Sequence, residues 1–420
     1  MSEIIRNIKG TKDILSEESV IWQYVESKIH TFFKQYGFSE IRTPAFENTN
    51  LFKRSIGEHT DIVSKEMYSW TDQGGNNITL KPEVTASVVR SYIQHSLGKI
   101  NPMSKLYYID SLFRRERPQK GRYRQFNQFG IEAIGSKFPE QDAEVIALAY
   151  NFYVYLGLEN LSLKINSIGS QDTRKRYKKK LYDYLLPFKN DLTEISQKRL
   201  EKNPLRILDT KIDFEIDIIK NAPHIIDCLN DEDKAHFKSV LKYLDKIDIK
   251  YTIDNKLVRG LDYYSRTVFE IQCKELGAQD ALCGGGRYDY LIEDLGGKPT
   301  PAIGFAAGIE RLIMALNLDA NKLNVTPDIY IVSVGQDAIE FSFNLANTLR
   351  LNKEFIVITD TLQRGLKAQM KEANKINAKY AIIIGDDEIT AKKLTIKNMD
   401  TGHQETVNTD KVESYFNSKN

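Results

Sequence analysis

Ile21, Val25, Ile29 and Phe32 recur every three or four residues, which predicts an amphipathic helix over 18–36, with Gly37 suited to the position just past its end. "FSEIRTPAF" (38–46) reads as a short strand stopped by Pro44. "EMYSW" and "NITLKPE" read as strands joined by the turn "DQGGNN", a hairpin pattern. "KLYYIDSLFRRE" and "QFNQFGIEAIG" predict a second hairpin around the loop "RPQKGRYR" (117–124). Residues 142–156 read as a helix, and "LSLKINSIG" as a strand ended by a turn.

From 171 to about 247 the pattern turns charged, helical and poor in strand signals, which predicts a helical insertion over 171–250. Strand patterns return with "KYTID", "LVRG" and "YYSRTVFEIQC", followed by a glycine turn in "CGGGRYD" and a helix in "GFAAGIERLIMAL". Residues 321–327 read as a linker. Beyond it "IYIVSV", "FIVITD" and "AIIIGD" have the continuous apolar character of buried parallel strands, predicting a separate α/β domain over 328–420. The fold expectation is therefore α+β: an antiparallel sheet with helices over 1–170 and 251–320, the helical insertion, and the C-terminal α/β domain.

Composition changes this picture little. The chain has 420 residues, 41% hydrophobic and 28% charged, the profile of a soluble globular protein of two or three domains. Mean hydropathy is −0.42, and no apolar run approaches the ~18 residues of a membrane span. The segment "MSEIIRNIKGTKDIL" has no apolar centre of the signal-peptide kind, so the cytoplasm is expected. Three dispersed cysteines without a CxxC pair argue against a disulfide framework or a cysteine-built zinc site. Six histidines are scattered without HxxxH or HExxH spacing, so no resident metal site is expected.

Net charge is only +2, yet charge is clustered. "FRRERPQKGRYR" (113–124) carries six basic residues in twelve, and "TRKRYKKK" (173–180) six in eight. The strand alternation puts Arg114 with Glu116 on one face entering the loop, and Phe126, Gln128, Gly130 and Glu132 on one face leaving it. Gly130 between Gln128 and Glu132 predicts open space for a small ligand, against the plainer reading of a solvated hairpin. An arginine-rich loop suits a polyphosphate clamp, and equally a nucleic-acid backbone; spacing does not choose. No histidine or cysteine lies in the stretch, which argues against a Ser-His or Cys-His nucleophile there. "LVRGLDYYSRTVFE" places Arg259 ahead of Asp262, Tyr263 and Tyr264, as a snorkelling arginine or a carboxylate binder beside a pocket wall. "CGGGRYD" lacks P-loop spacing, and close backbone packing accounts better for its glycines. Glu310 and Arg311 sit on an otherwise apolar helix, where a charge should have a partner.

Together these stretches resemble the bacterial-type histidyl-tRNA synthetases, a class II aminoacyl-tRNA synthetase family. The likeness runs through "KGTKDIL", "IRTPAFENTNLFKRSIGEHTDIVSKEMY", "LKPEVTASVVR", "FRRERPQKGRYRQFNQFGIEAIG", "NPLRILD", "LVRGLDYYSRTVFE", "CGGGRYD" and "AIGFAAGIERL". The resemblance implies ATP and Mg²⁺, L-histidine, and histidine tRNA as reactants, with a homodimer whose interface lies near Pro44. Arg114 would hold the α-phosphate, Glu116 the adenine amino group, Phe126 and Arg311 the adenine faces, and Arg122 with Arg311 the γ-phosphate. Glu83, Thr85 and Gln128 would take the α-ammonium of histidine, and Glu132 with Tyr264 its imidazole, with Tyr263 and Tyr288 beside them. Arg259 would face both the histidine carboxylate and the α-phosphate; Arg114 and Arg259 are the catalytic pair. The C-terminal domain would read the anticodon, and the loop 117–124 would approach the acceptor end.

The sequence departs from the family's usual "LRPEGT" at Lys81 and Val84. A valine is strained if that position requires φ > 0; the expectation is that the departure is tolerated, because Glu83 and Thr85 remain. Two other readings compete. A catalytically silent relative, such as a regulatory subunit of ATP phosphoribosyltransferase, would resemble only the catalytic part. A plain nucleic-acid-binding protein would leave the carboxylates Glu83 and Glu132 unexplained, since they repel phosphate.

Overall fold

The computed structural model describes residues 4–57, 60–117, 121–208, 210–277, 280–353 and 355–417. The chain forms two compact units, Met1–Ala320 and Asn321–Asn420. The first is built on an eight-stranded sheet in the order Ser39–Glu40, Ser104–Phe113, Gln125–Ile134, Ala302–Gly308, Ala281–Arg287, Ser265–Cys273, Leu161–Ser167, Tyr251–Ile253. The six inner strands pair antiparallel, and the two short edge strands join in parallel. Phe46–Asn48, Tyr68–Thr71 and Asn77–Leu80 form a small separate antiparallel sheet that includes the first predicted hairpin.

Alternation explains the sheet's two faces. Phe129, Ile131 and Ala133 point to one side, where they meet the helices Ser16–Gln35 and Pro139–Tyr155 in the main core. That core is rich in aromatic edge contacts, with the Phe129 and Phe152 ring centroids 5.4 Å apart. The N-terminal helix buries Ile21, Val25, Ile29 and Phe32 as their spacing predicts, and Gly37 follows it with φ of 76°. Gln128, Gly130 and Glu132 point to the other side, where the site lies.

Several local expectations are corrected. "CGGGRYD" is not a turn: the glycines lie inside the central strand Ala281–Arg287. A Cβ at Gly285 would sit 2.3 Å from the Gly304 carbonyl oxygen, so these glycines serve close packing. The segment "AIGFAAG" is strand rather than helix start; the helix is only Ile309–Leu316. Period two was legible there, since Ile303 and Phe305 enter the core while Gly304 and Ala306 face the site. "LVRG" is coil, and the strand after Phe38 ends at Glu40, well before Pro44.

The helical stretch after 170 comprises Gln171–Leu185, Glu194–Lys202, Asp213–Ile219 and Asp231–Lys246, with short 3₁₀ turns. The last of these inserts Phe237, Val240 and Leu244 into the main core, while Tyr177, Leu181 and Leu200 share a second core with Tyr263, Tyr264 and Tyr288. The insertion therefore packs directly onto the site.

In the second unit Val357–Thr359, Ile329–Val334 and Tyr380–Gly385 pair in parallel as expected. The sheet is mixed, not parallel: Lys393–Asn398 and Gln404–Asn408 extend it antiparallel. These were illegible because only Leu394, Ile396 and Val407 mark their apolar face. No described helix is long and apolar enough to cross a membrane.

Candidate active site

Two adjoining cavities open on the polar face of the large sheet. The outer, about 520 Å³, is lined by Glu116, Arg122, Phe126 and Arg311 among others. The inner, about 260 Å³, is lined by Glu83, Thr85, Glu132, Tyr263, Tyr264 and Tyr288. Arg114, Gln128 and Arg259 line both. Every residue to which the resemblance assigns a contact with ATP or histidine thus lines one cavity or both.

The outer cavity forms where the long hairpin opens. The strand ends at Phe113, so Arg114 and Glu116 lie in coil rather than on one strand face. Arg114 keeps the mouth of the hairpin closed, its N–H donating to the Arg124 carbonyl at 2.9 Å. Its Nε donates to the Pro82 carbonyl at 2.9 Å, and its guanidinium lies 5.1 Å from the Phe126 ring centroid. Burial pulls its pKa down, opposed by Glu116 and Glu66. Arg122 stands 3.6 Å from Glu116, and Arg311 donates to the Ala281 carbonyl at 3.0 Å. Glu310 has the partner its burial demands: its Oε1 accepts from the Asn127 N–H and Nδ2 at 2.8 and 3.0 Å. Residues 118–120 of the basic loop lie outside the described residues.

The inner cavity is built around Glu132, which is 1% exposed. Thr85 Oγ1 donates to Glu132 Oε1 at 2.7 Å, and the Tyr288 hydroxyl donates to Oε2. Burial nevertheless prevails and pushes the Glu132 carboxyl up to about 8. Glu83 accepts the Ala86 N–H at 2.8 Å at the start of the helix Thr85–Gln94, and burial raises its pKa too. Gly304 lies beneath the carboxylate: a Cβ there would stand 2.0 Å from Glu132 Oε2.

The open space expected above Gly130 is filled. A Cβ at Gly130 would lie 2.4 Å from the Tyr108 hydroxyl and 2.3 Å from the Phe305 carbonyl oxygen. The glycine makes room for Tyr108, its partner in register, and the cavity lies beside it.

Arg259 crosses the floor over Gly284, where a Cβ would stand 1.9 Å from Nη2. Glu270, cross-strand partner of Gly284, accepts from Arg259 Nη1 at 2.7 Å. Val84 is unstrained: its φ is −106°, and it packs with Val88, Tyr108 and Leu112. Lys81, 1% exposed, points away to Asp110 and donates to the Thr43 carbonyl at 3.1 Å. Among the described residues no group of three or more His, Cys, Asp or Glu converges on a metal position.

The sequence family described as histidyl-tRNA synthetase matches residues 10–312, and an anticodon binding domain family matches 328–419. The chain belongs to the histidyl-tRNA synthetase family. A histidine–tRNA ligase of Caldicellulosiruptor saccharolyticus is 50% identical over 414 residues, covering 98% of each chain. One of Staphylococcus haemolyticus is 47% identical over 423 residues, covering 99% of this chain and all of its own. The solved structure of apo S. aureus histidyl-tRNA synthetase matches 98% of this chain with a TM-score of 0.83 at 42% identity.

Within this histidyl-tRNA synthetase family fold, sequence reasoning missed Tyr108, Glu270 and the glycine floor of the site. Tyr108 was findable, because pairing the two strands of the long hairpin sets it opposite Gly130. Glu270 had no such signal, since its meeting with Arg259 needs the loop between them to fold back over the sheet.

Proposed function

We propose that the chain activates L-histidine with Mg·ATP, giving histidyl-adenylate and pyrophosphate, and then transfers histidine to the 3′ end of histidine tRNA. The observation that carries the reading is the sharing of Arg114, Gln128 and Arg259 by both cavities. Activation joins two anions, and these residues stand where a carboxylate from the inner cavity meets an α-phosphate from the outer.

The protein's work in such a step is alignment and charge compensation. Arg259, braced by Glu270, faces the junction, and with Arg114 it offsets the charge that builds as the carboxylate oxygen attacks phosphorus. Glu116, Phe126 and Arg311 hold adenine, while Arg122 and Arg311 reach the γ-phosphate. Mg²⁺ enters on the ATP phosphates as part of the substrate. In the inner cavity Glu83, Thr85 and Gln128 receive the α-ammonium. Glu132 and Tyr264 read the imidazole, a ring with one donor and one acceptor in its neutral form, and Tyr263 and Tyr288 close the wall. A pocket that reads by hydrogen bonds rejects apolar isosteres by leaving its own groups unpaired.

The domain roles follow the same reading: a catalytic domain over 1–170 and 251–320, an insertion over 171–250, a linker over 321–327, and an anticodon reader over 328–420. Exposed single-stranded bases are the kind of target a protein reads directly. We place the enzyme in the cytoplasm as a homodimer, with the segment around Pro44 near the interface.

ATP–pyrophosphate exchange with Mg²⁺, run with each amino acid separately and without tRNA, tests the activation step. Exchange with histidine alone is expected. Histidine binding by calorimetry without any exchange would turn the reading toward a regulatory relative.

A further inference from the structure

The basic run 173–180 lies on the helix Gln171–Leu185, and one of its arginines does not face solvent. Thr173, Tyr177 and Leu181 dock the helix into the insertion's core, while Lys175 and Lys179 are exposed. Arg174 turns instead toward the segment 257–264. Its Nη1 donates to the Tyr264 carbonyl at 2.6 Å and to the Asp262 carbonyl at 3.1 Å, and its Nη2 to the Asp262 carbonyl at 3.1 Å.

That segment has no strand or helix of its own, so no backbone ladder fixes it. It nevertheless carries Arg259, Tyr263 and Tyr264. Two of its other ties come from the same inserted region, where the Asp262 carboxylate accepts from Asn203 Nδ2 at 3.2 Å and from Arg206 Nη2 at 3.3 Å; outside it, the Asp262 N–H donates to the Ile56 carbonyl at 3.3 Å and Asn166 Nδ2 to the Leu257 carbonyl at 3.1 Å. A planar guanidinium reaches two carbonyls two residues apart in one rigid unit, which a single ammonium does not do. The carbonyls it holds belong to the residues flanking Tyr263. A shift there displaces Tyr263 and Tyr264 in the inner cavity's wall and leaves the outer cavity's Phe126 and Arg311, on other elements, in place, while the Arg259 guanidinium, which lines both cavities, is held separately by Glu270.

We propose that Arg174 is a positioning residue for amino-acid recognition: the inserted helix uses it to hold the Asp262–Tyr264 backbone in its histidine-reading shape. This rests on the functional reading above, and two measurements separate them. Hydrogen exchange of the amides in 257–264 needs no ligand, and Arg174→Ala is expected to speed it. Calorimetry on the full chain should then show the histidine Kd raised at least tenfold and the ATP Kd within twofold, with Arg174→Lys intermediate. Lys175→Ala, on the same helix, should leave both Kd values at the parent's. In exchange assays the histidine KM should rise while the ATP KM does not. Unchanged histidine affinity in Arg174→Ala overturns the proposal, as does equal weakening of histidine and ATP, which would mark a merely structural role. A parent chain that does not bind histidine defeats the functional reading itself.

Discussion

Glu132→Gln should make the protein more stable at alkaline pH and worse at binding histidine. In the unfolded chain the carboxyl loses its proton near its ordinary 4.5, whereas burial in the folded protein holds it to about 8. Between those values folding takes up a proton, so the folded state loses about 1.4 kcal/mol per pH unit as pH rises. Below the lower value there is no cost; above the upper one it is complete and constant. From about pH 5 to about pH 9 the difference amounts to roughly 4 kcal/mol. Glutamine does not titrate, and every other group is common to both chains, so the stability of the variant minus that of the parent should grow by that amount. Trp22 and Trp70, the two tryptophans, both lie in the first unit, so fluorescence in urea reports on the unit that contains Glu132. Histidine affinity should meanwhile fall by about 0.5–1.5 kcal/mol near neutral pH, the worth of a hydrogen bond between neutral groups. A stability difference that stays flat across this pH range, or that grows toward acid, would refute the reasoning.

Gly284→Ala should leave the fold intact, because the atoms its Cβ meets first belong to the movable Arg259 guanidinium. Displacing that group by an ångström is expected to lower kcat for pyrophosphate exchange by about 10²-fold with an unchanged melting temperature; a parent-like kcat would count against Arg259 acting where it lies. Val84→Gly should cost about 1–3 kcal/mol of stability through lost packing and added chain freedom, since Val84 is buried with an ordinary φ. Its histidine Kd should stay within about tenfold (1.4 kcal/mol) of the parent's, and a larger tightening would show that valine distorts the Glu83–Thr85 backbone. Lys81→Met should destabilise by about 1–3 kcal/mol in urea, because Asp110 loses its ammonium partner while keeping the Ser111 N–H and some exposure, with Lys81→Arg recovering part of it. Equal stability of the methionine variant and the parent would mean that Asp110 is solvated well enough without its partner.

The long hairpin was legible because its alternation of Phe129, Ile131 and Ala133 against Gln128, Gly130 and Glu132 is a local signal with the period of a strand. The N-terminal helix was legible for the same reason at its own period. The strands around the glycines were not. A run such as "CGGGRYD" has no side chains to declare a period, and what makes it strand is the pair of neighbours, Ser265–Cys273 and Ala302–Gly308, that hydrogen-bond to it from either side. The antiparallel edge of the second unit was missed because half of each strand faces water and its few apolar positions are too sparse to count.

The sequence by itself determined which residue types the site contains, through contiguous stretches such as 81–85, 113–132 and 257–264, and it determined most of the regular elements, because local spacing encodes local conformation. Only the tertiary structure decided what those residues are to one another. It set Glu270 against Arg259, filled the gap at Gly130 with Tyr108, turned Arg174 from solvent to the Tyr264 carbonyl, and buried Glu132 deeply enough to hold its proton to about 8. Each of these depends on burial and on charge partners brought from distant parts of the chain, and neither quantity exists until the sheet has closed.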